Sequence, residues 1–159
     1  MAVADVIRLL GVNPLYRNRM VHTETTGPVP PRYGTLELPL GDTLESYISQ
    51  HRIRLYSHQC DTINRIRSGK NVIITTPTAS GKTLAFNLPV FEGLEGNSEA
   101  RALYLYPTKA LSNDQLETLE QMAQFTGISA RPAIYDGDTP QSRREIGRAS
   151  CRERVCTTV

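Results

Sequence analysis

The hydrophobic pattern changes rhythm twice along the chain. Over residues 12–41 neither a helical nor a strand period holds; from Asp42 to Lys70 apolar residues recur at helical spacing; from Asn71 short β-branched runs alternate with helical stretches. Asp42 with Glu45 three residues on predicts a capping box, and "TLESYISQ" follows as a helix. Ser57 predicts a second cap, ahead of "HQCDTINRIRSGK", where Ile63 and Ile66 share a face and Gly69 ends the helix. "NVIITT", 71–76, predicts a strand covered on both faces. A loop over 76–82 follows, then a helix through "KTLAFNLPVFEGL" that Pro89 is expected to kink or end. "ALYLY", 102–106, predicts a second buried strand. "SNDQLETLEQMAQFTG" predicts a helix with Leu116, Leu119, Met122 and Ala123 at helical spacing, closed by Gly127. "PAIYD", 132–136, predicts a third strand, and Thr139 followed by Pro140 one more capped helix. Strand, helix, strand, helix, strand implies an α/β fold built on a parallel sheet.

The residues ahead of this pattern look different. Residues 3–10 predict a short helix closed by Gly11. Residues 12–41 hold Pro14, Pro28, Pro30, Pro31 and Pro39, which predicts an extended arm.

Composition narrows the class. The chain is 39% hydrophobic and 21% charged, the profile of one globular domain. No apolar run approaches the ~20 residues that cross a bilayer. "MAVADVIRLLGVNP" has no basic leader and carries Asp5 and Arg8 within its apolar segment, so a signal peptide is not expected and a cytoplasmic location is. Cys60, Cys151 and Cys156 make neither a zinc spacing nor a disulfide framework. His22 and His51 have no partners at metal-ligand spacing, and His58 reads as structural. Net charge is +2, but three basic residues and one acidic residue lie in 146–159, so the rest of the chain is balanced. The body therefore has no basic footprint of the kind that marks nucleic-acid binding by itself.

The candidate chemistry lies in "TPTASGKT", Thr76 to Thr83. A phosphate needs hydrogen-bond donors on a backbone that can come close. Consecutive loop N–H groups and the positive end of the following helix supply them. Thr76, Pro77, Thr78, Ala79, Ser80 and Gly81 form the cradle, Lys82 reaches the outer phosphates, and the Thr83 hydroxyl can ligate Mg²⁺. A chance Gly-Lys-Thr in a turn is the bland alternative; the strand pattern before it and the helical pattern after it argue against that. Thr76 stands where phosphate loops commonly begin with glycine, and Pro77 can pre-set the turn instead.

That form of the loop resembles motif I of the superfamily 2 helicases, the DEAD/DEAH-box group. Other stretches agree. "LYSHQ", ending at Gln59, resembles the Q motif, which implies that Gln59 reads an adenine edge; a surface glutamine is the alternative. "YPTKALSNDQ" resembles motif Ia, which implies that Pro107, Thr108 and Lys109 touch a nucleic-acid backbone; a solvated lysine is the alternative. "YDGDTP" resembles the motif Ib region, which implies that Asp136, Gly137, Asp138 and Thr139 shape a second strand-contacting loop; an ordinary Asp-Gly turn is nearly as good a reading. Together these stretches resemble the MrfA/YprA-like DNA helicases over about residues 36–145.

The resemblance implies the front half of a RecA-like ATP-binding domain over 36–145, preceded by an arm over 1–35. It implies an ATP-dependent helicase using ATP and Mg²⁺, with Lys82 and Thr83 as catalytic groups. The implied partner is single-stranded or partly duplex DNA, with RNA as the other nucleic-acid option and no membrane. A second RecA-like domain and a C-terminal region of the same protein would complete the machine, and the fragment alone would be inactive. A small P-loop kinase is the rival enzyme class, but nothing over 84–145 resembles its lid or acceptor pocket. A non-enzymatic nucleotide- or DNA-binding module is the third option.

The last fourteen residues, "IGRASCRERVCTTV", stand apart. They have no helical apolar stripe and no strand-length apolar run, so few packed contacts are expected there apart from an extension of the helix begun at Pro140. Ile146 to Val155 resembles the translation of a short-read sequencing adapter, spelled letter for letter by ATC GGA AGA GCG TCG TGT AGG GAA AGA GTG. The expectation is a non-native tail over 146–159; a basic tail that grips DNA is the alternative.

Overall fold

A computed structural model describes residues 2–97, 99–140 and, by their backbone, 155–158. The chain divides into two compact units, the first ending at Pro31 and the second beginning at Arg32.

In the first unit, helix α1 covers Val3–Val12 and buries no residue. It runs through Gly11, where the sequence placed its end, and closes with the Asn13 N–H on the Leu9 carbonyl. Residues 20–31 carry no regular structure, as their prolines predict.

The second unit contains α2 (Asp42–Gln50), α3 (Ser57–Arg67), α4 (Lys82–Gly96), β1 (Ala102–Leu105), α5 (Lys109–Thr126), β2 (Pro132–Tyr135) and β3 (Val155–Thr158). The sheet order is β1-β3-β2, with β3 parallel to both neighbours; Val155 stands opposite Ala102 on one side and Pro132 on the other. Leu44, Ile63, Leu88, Phe91, Leu119 and Met122 fill the core between the helices and the sheet.

Both helix starts shift by one residue from the sequence expectation. Gly41, not Asp42, precedes α2, and the Glu45 carboxylate accepts the Leu40 N–H at 3.0 Å. Asp42 instead sits in the first turn, where the helix dipole favours an acid. Tyr56, not Ser57, precedes α3, and Gln59 Oε1 accepts the Tyr56 N–H at 2.8 Å. In each case a side chain from the first turn satisfies an N–H at the cap residue or just ahead of it.

Three further expectations are corrected and one is narrowed. Residues 71–77 form no strand and belong to no ladder, and Ile73 is 89% exposed. A parallel strand needs neighbours on both sides to satisfy its backbone, and none of the described strands lies beside this run. β1 is not covered on both faces: Tyr104 is buried while Leu103 and Leu105 are exposed, the alternation of a half-covered strand. Pro89 lies inside α4 and does not end it; the helix continues to Gly96 because Phe91 and Leu94, beyond the proline, are locked in the core. The expectation that the tail packs little fails at 155–158, which form β3 between β1 and β2. A main-chain ladder accepts almost any side chain, so a central position asks little of this sequence. The rest of 146–159, and the helix predicted after Pro140, lie outside the described residues.

Arg67 ties the entry segment to the helices. Its guanidinium pairs with Glu92 through Nε (2.9 Å) and Nη2 (2.6 Å), and donates to the Leu38 and Pro39 carbonyls at 2.6 and 3.1 Å. Its side chain is 17% exposed. Removing it strands a part-buried carboxylate and two carbonyls, so Arg67→Met is expected to lower unfolding stability by about 1–3 kcal/mol. Urea denaturation of parent and variant checks this; equal midpoints would show that water replaces the fork.

No described helix is long and apolar enough to cross a membrane.

Candidate functional site

The loop between the unpaired run and α4 is bent by two left-handed residues, Ala79 (φ +59°) and Gly81 (φ +77°). Gly81 immediately precedes α4, whose first N–H groups have no partner inside the helix. Lys82, the first residue of α4, folds back over the loop. Its Nζ donates to the Thr76 carbonyl at 2.5 Å and the Pro77 carbonyl at 2.6 Å, with the Thr76 and Ser80 hydroxyls each at 3.3 Å. Those two hydroxyls are bonded to each other at 2.6 Å. Thr83 follows in the first turn of α4 and is half-buried. One ammonium therefore gathers the loop's carbonyl and hydroxyl oxygens, an arrangement held together by a positive charge.

Two side chains of α3 fasten the loop from the other side. His58 Nε2 donates to the Ser80 carbonyl at 3.0 Å, which places a proton on that nitrogen. Gln59 Nε2 donates to the Gly81 carbonyl at 2.8 Å. Gln59 is thus no surface residue: it is 3% exposed, with one end on the start of its own helix and the other on the loop. One N–H and one lone pair of its amide lie beyond these two bonds.

Gly81 is required on two counts. Its φ is one that side chains with a Cβ rarely adopt, and a Cβ there would stand 2.6 Å from Gln59 Nε2. Gly81→Ala is expected to lower stability by about 1–2 kcal/mol and to dislodge the Gln59 amide. Ala79→Gly, two residues earlier at a similar φ, is expected to be near neutral, because relief of strain offsets the added chain entropy. Thermal unfolding of both variants checks the pair, and equal losses would refute the close contact.

Beside Gln59 lies a stack that the sequence pattern did not reveal. The Arg54 guanidinium sits 3.9 Å from the Tyr33 ring centre. Tyr33 stacks on Tyr56 (5.5 Å, 7°), and Tyr56 on His58 (5.7 Å, 12°). An isolated bridge pairs Tyr33 with Tyr56. Tyr56 and His58 belong to the "LYSHQ" stretch, but Tyr33 reaches it only through tertiary folding.

The two other predicted segments meet at the C-terminal ends of β1 and β2. Thr108 caps α5, its Oγ1 accepting the Leu111 N–H at 3.3 Å. Lys109 pairs with Asp138 and is therefore not simply a solvated charge; that carboxylate, together with Asp136, raises the lysine's pKa. Asp136 Oδ1 accepts the Asp138 N–H at 2.9 Å and the Thr139 hydroxyl at 3.1 Å, while Thr139 Oγ1 accepts the Asp136 N–H at 2.9 Å. Pro107 and Gly137 are exposed on this rim. Behind it, burial pushes the Tyr106 phenol up to about 12. Among the described residues no group of acidic, histidine and cysteine side chains could by itself hold a metal ion.

Residues 56–158 match the family model of the DEAD/DEAH box helicases. Among curated proteins, the chain is 38% identical over 112 residues to the ATP-dependent helicase YprA of Bacillus subtilis, covering 69% of this chain and 15% of the relative. It is 31% identical over 150 residues to the ATP-dependent helicase hrq1 of Schizosaccharomyces pombe, covering 91% of this chain and 14% of the relative. The crystal structure of the DUF1998 helicase MrfA bound to DNA and AMPPNP superposes with a TM-score of 0.80 at 29% identity, over 99% of this chain and 22% of that one. The chain thus spans about a seventh of the length of these curated relatives.

Proposed function

This chain belongs to the DEAD/DEAH box helicase family, and from that premise we propose that it is the ATP-binding N-terminal part of an ATP-dependent DNA helicase. Its fold is the front part of a RecA-like domain. The observation that carries the reading is the loop clamped between Lys82 and Gln59, opening onto the N-terminus of a fifteen-residue helix.

The residues present fit a nucleoside triphosphate with Mg²⁺. Gly81 lets the backbone come close, as the 2.6 Å Cβ test shows. The Lys82 ammonium rests on oxygen acceptors, and phosphate oxygens are acceptors of the same kind with more charge. Lys82 would bind the outer phosphates, the N–H groups of 78–83 the inner ones, and Thr83 the metal. Bound Mg²⁺ would neutralise phosphate charge. Gln59 would take the base edge with its remaining N–H and lone pair, and the Tyr33 ring, 41% exposed, offers a flat surface beside it.

Pro107, Thr108 and Lys109, with Gly137, Asp138 and Thr139, would face the nucleic-acid backbone. They lie where ligands bind in parallel sheets, beyond the strands' carboxyl ends. Contacts of this kind position a strand without reading its sequence, which suits a body of balanced charge. DNA-stimulated ATPase of the full-length protein tests the whole reading; a turnover indifferent to DNA would defeat it.

Residues 146–159 we propose to be a non-native tail, on the adapter match alone and although the family match runs on to residue 158. Sequencing genomic DNA across codon 145 tests that, and recovery of the same fourteen codons would defeat it.

A further inference from the structure

Lys109 and Asp138 come from segments on different strands' ends, and they form an ion pair on an open surface, with side chains 47% and 81% exposed. We propose that Asp138 stands in for a nucleic-acid phosphate: its carboxylate occupies Lys109 until a backbone phosphate displaces it, so Asp138 holds down the affinity of this surface. The inference rests on the reading that residues 107–109 face nucleic acid.

Three observations carry it. First, the carboxylate is presented by a stiff turn. Its own N–H is bonded to Asp136 Oδ1, and Asp136 and Thr139 are bonded to each other three times. Little entropy is needed to keep it beside Lys109. Second, the pair is solvated on both sides, so it is weak enough to be broken; such pairs shift an equilibrium by no more than about fivefold. Third, carboxylate and phosphate offer an ammonium the same thing, an anionic oxygen acceptor. In a body whose charges balance, one lysine made free or occupied changes the local field appreciably. Asp138 is on this account a positioning residue acting through Lys109, with an effect opposite in sign to that of a contact residue.

The test uses the full-length protein and fluorescein-labelled oligo-dT, followed by anisotropy over a salt series. Asp138→Asn is expected to bind about two- to fivefold more tightly, and Asp138→Glu to stay within about twofold of the parent because it keeps the pair. Lys109→Ala is expected to bind more weakly and to lose about one unit of salt slope. In the Lys109→Ala background, Asp138→Asn is expected to add nothing. Unchanged or weaker binding by Asp138→Asn alone would overturn the proposal and make the pair a buttress. A gain that persists without Lys109 would also overturn it, as general repulsion. If Lys109→Ala binds like the parent with the same slope, the underlying reading of 107–109 fails, and the proposal fails with it.

Discussion

Lys82→Ala in the full-length protein is expected to cut ATP turnover by at least about a hundredfold while leaving the fold intact. Phosphoryl transfer depends on positioning and charge neutralisation, with little covalent work for the protein. Losing one well-placed donor in such a site costs on the order of a hundred- to a thousandfold. The structural cost is far smaller. Among the described residues, the Lys82 ammonium bonds to the loop it closes, through the Thr76 and Pro77 carbonyls and two hydroxyls, and the Pro77 contact is exposed to water. Water can take over those acceptors, so the net stability change is about 1 kcal/mol or less. Initial-rate phosphate release, measured beside a urea midpoint, separates the two effects. Turnover within a few-fold of the parent would sink the assignment of this loop. A collapsed midpoint would instead mean that the ammonium holds the loop's structure.

Which features were legible in the sequence follows from how local their causes are. Helix α5 was readable because Leu119, Met122 and Ala123 recur on one face and Gly127, at φ +67°, supplies the left-handed cap within the same stretch. The phosphate loop was readable because Gly81, Lys82 and Thr83 are adjacent. The run 71–76 was misread because β-branched composition states a preference, whereas a strand is made by its neighbours, and those lie far away in sequence. Leu103 and Leu105 were misread for the same reason: composition cannot say which face of β1 is covered. The starts of α2 and α3 were missed by a single residue, since Glu45 and Gln59 reach back past the residue that a capping pattern names, and α5 begins at Lys109, three residues ahead of its expected start. In the site, Gln59 was found but its engagement with Gly81 was not, because that bond joins residues 22 apart. The Arg54–Tyr33 contact and the Lys109–Asp138 pair are likewise products of folding, with no local signature.

The 159-residue chain by itself is expected to bind ATP and release no phosphate above background, with or without single-stranded DNA. The sequence contains no adjacent Asp-Glu pair of the kind that holds the metal and activates water in the family it resembles. Within the loop, Thr83 would hold the metal and Lys82 would be the cation on the phosphates. Positioning two reaction partners supplies several kcal/mol of the barrier reduction, but only where the attacking group is held as well as the electrophile. Here the phosphates would be held and the water would not. The unpaired run 71–77 adds a mechanical reason: the loop is anchored at Lys82 by α4 and at Ser80 and Gly81 by α3, while the run that enters it belongs to no ladder. The measurement has two arms. A fluorescent ATP analogue titrated into the purified chain shows whether the cradle forms, with Lys82→Ala as the weakened control. Phosphate release is then followed at saturating ATP with and without oligo-dT. Binding without turnover is the expected pair of results. DNA-stimulated release at about 1 s⁻¹ or faster, an ordinary enzymatic rate, would show that Lys82, Thr83 and the loop suffice and that the water-activating acid is dispensable.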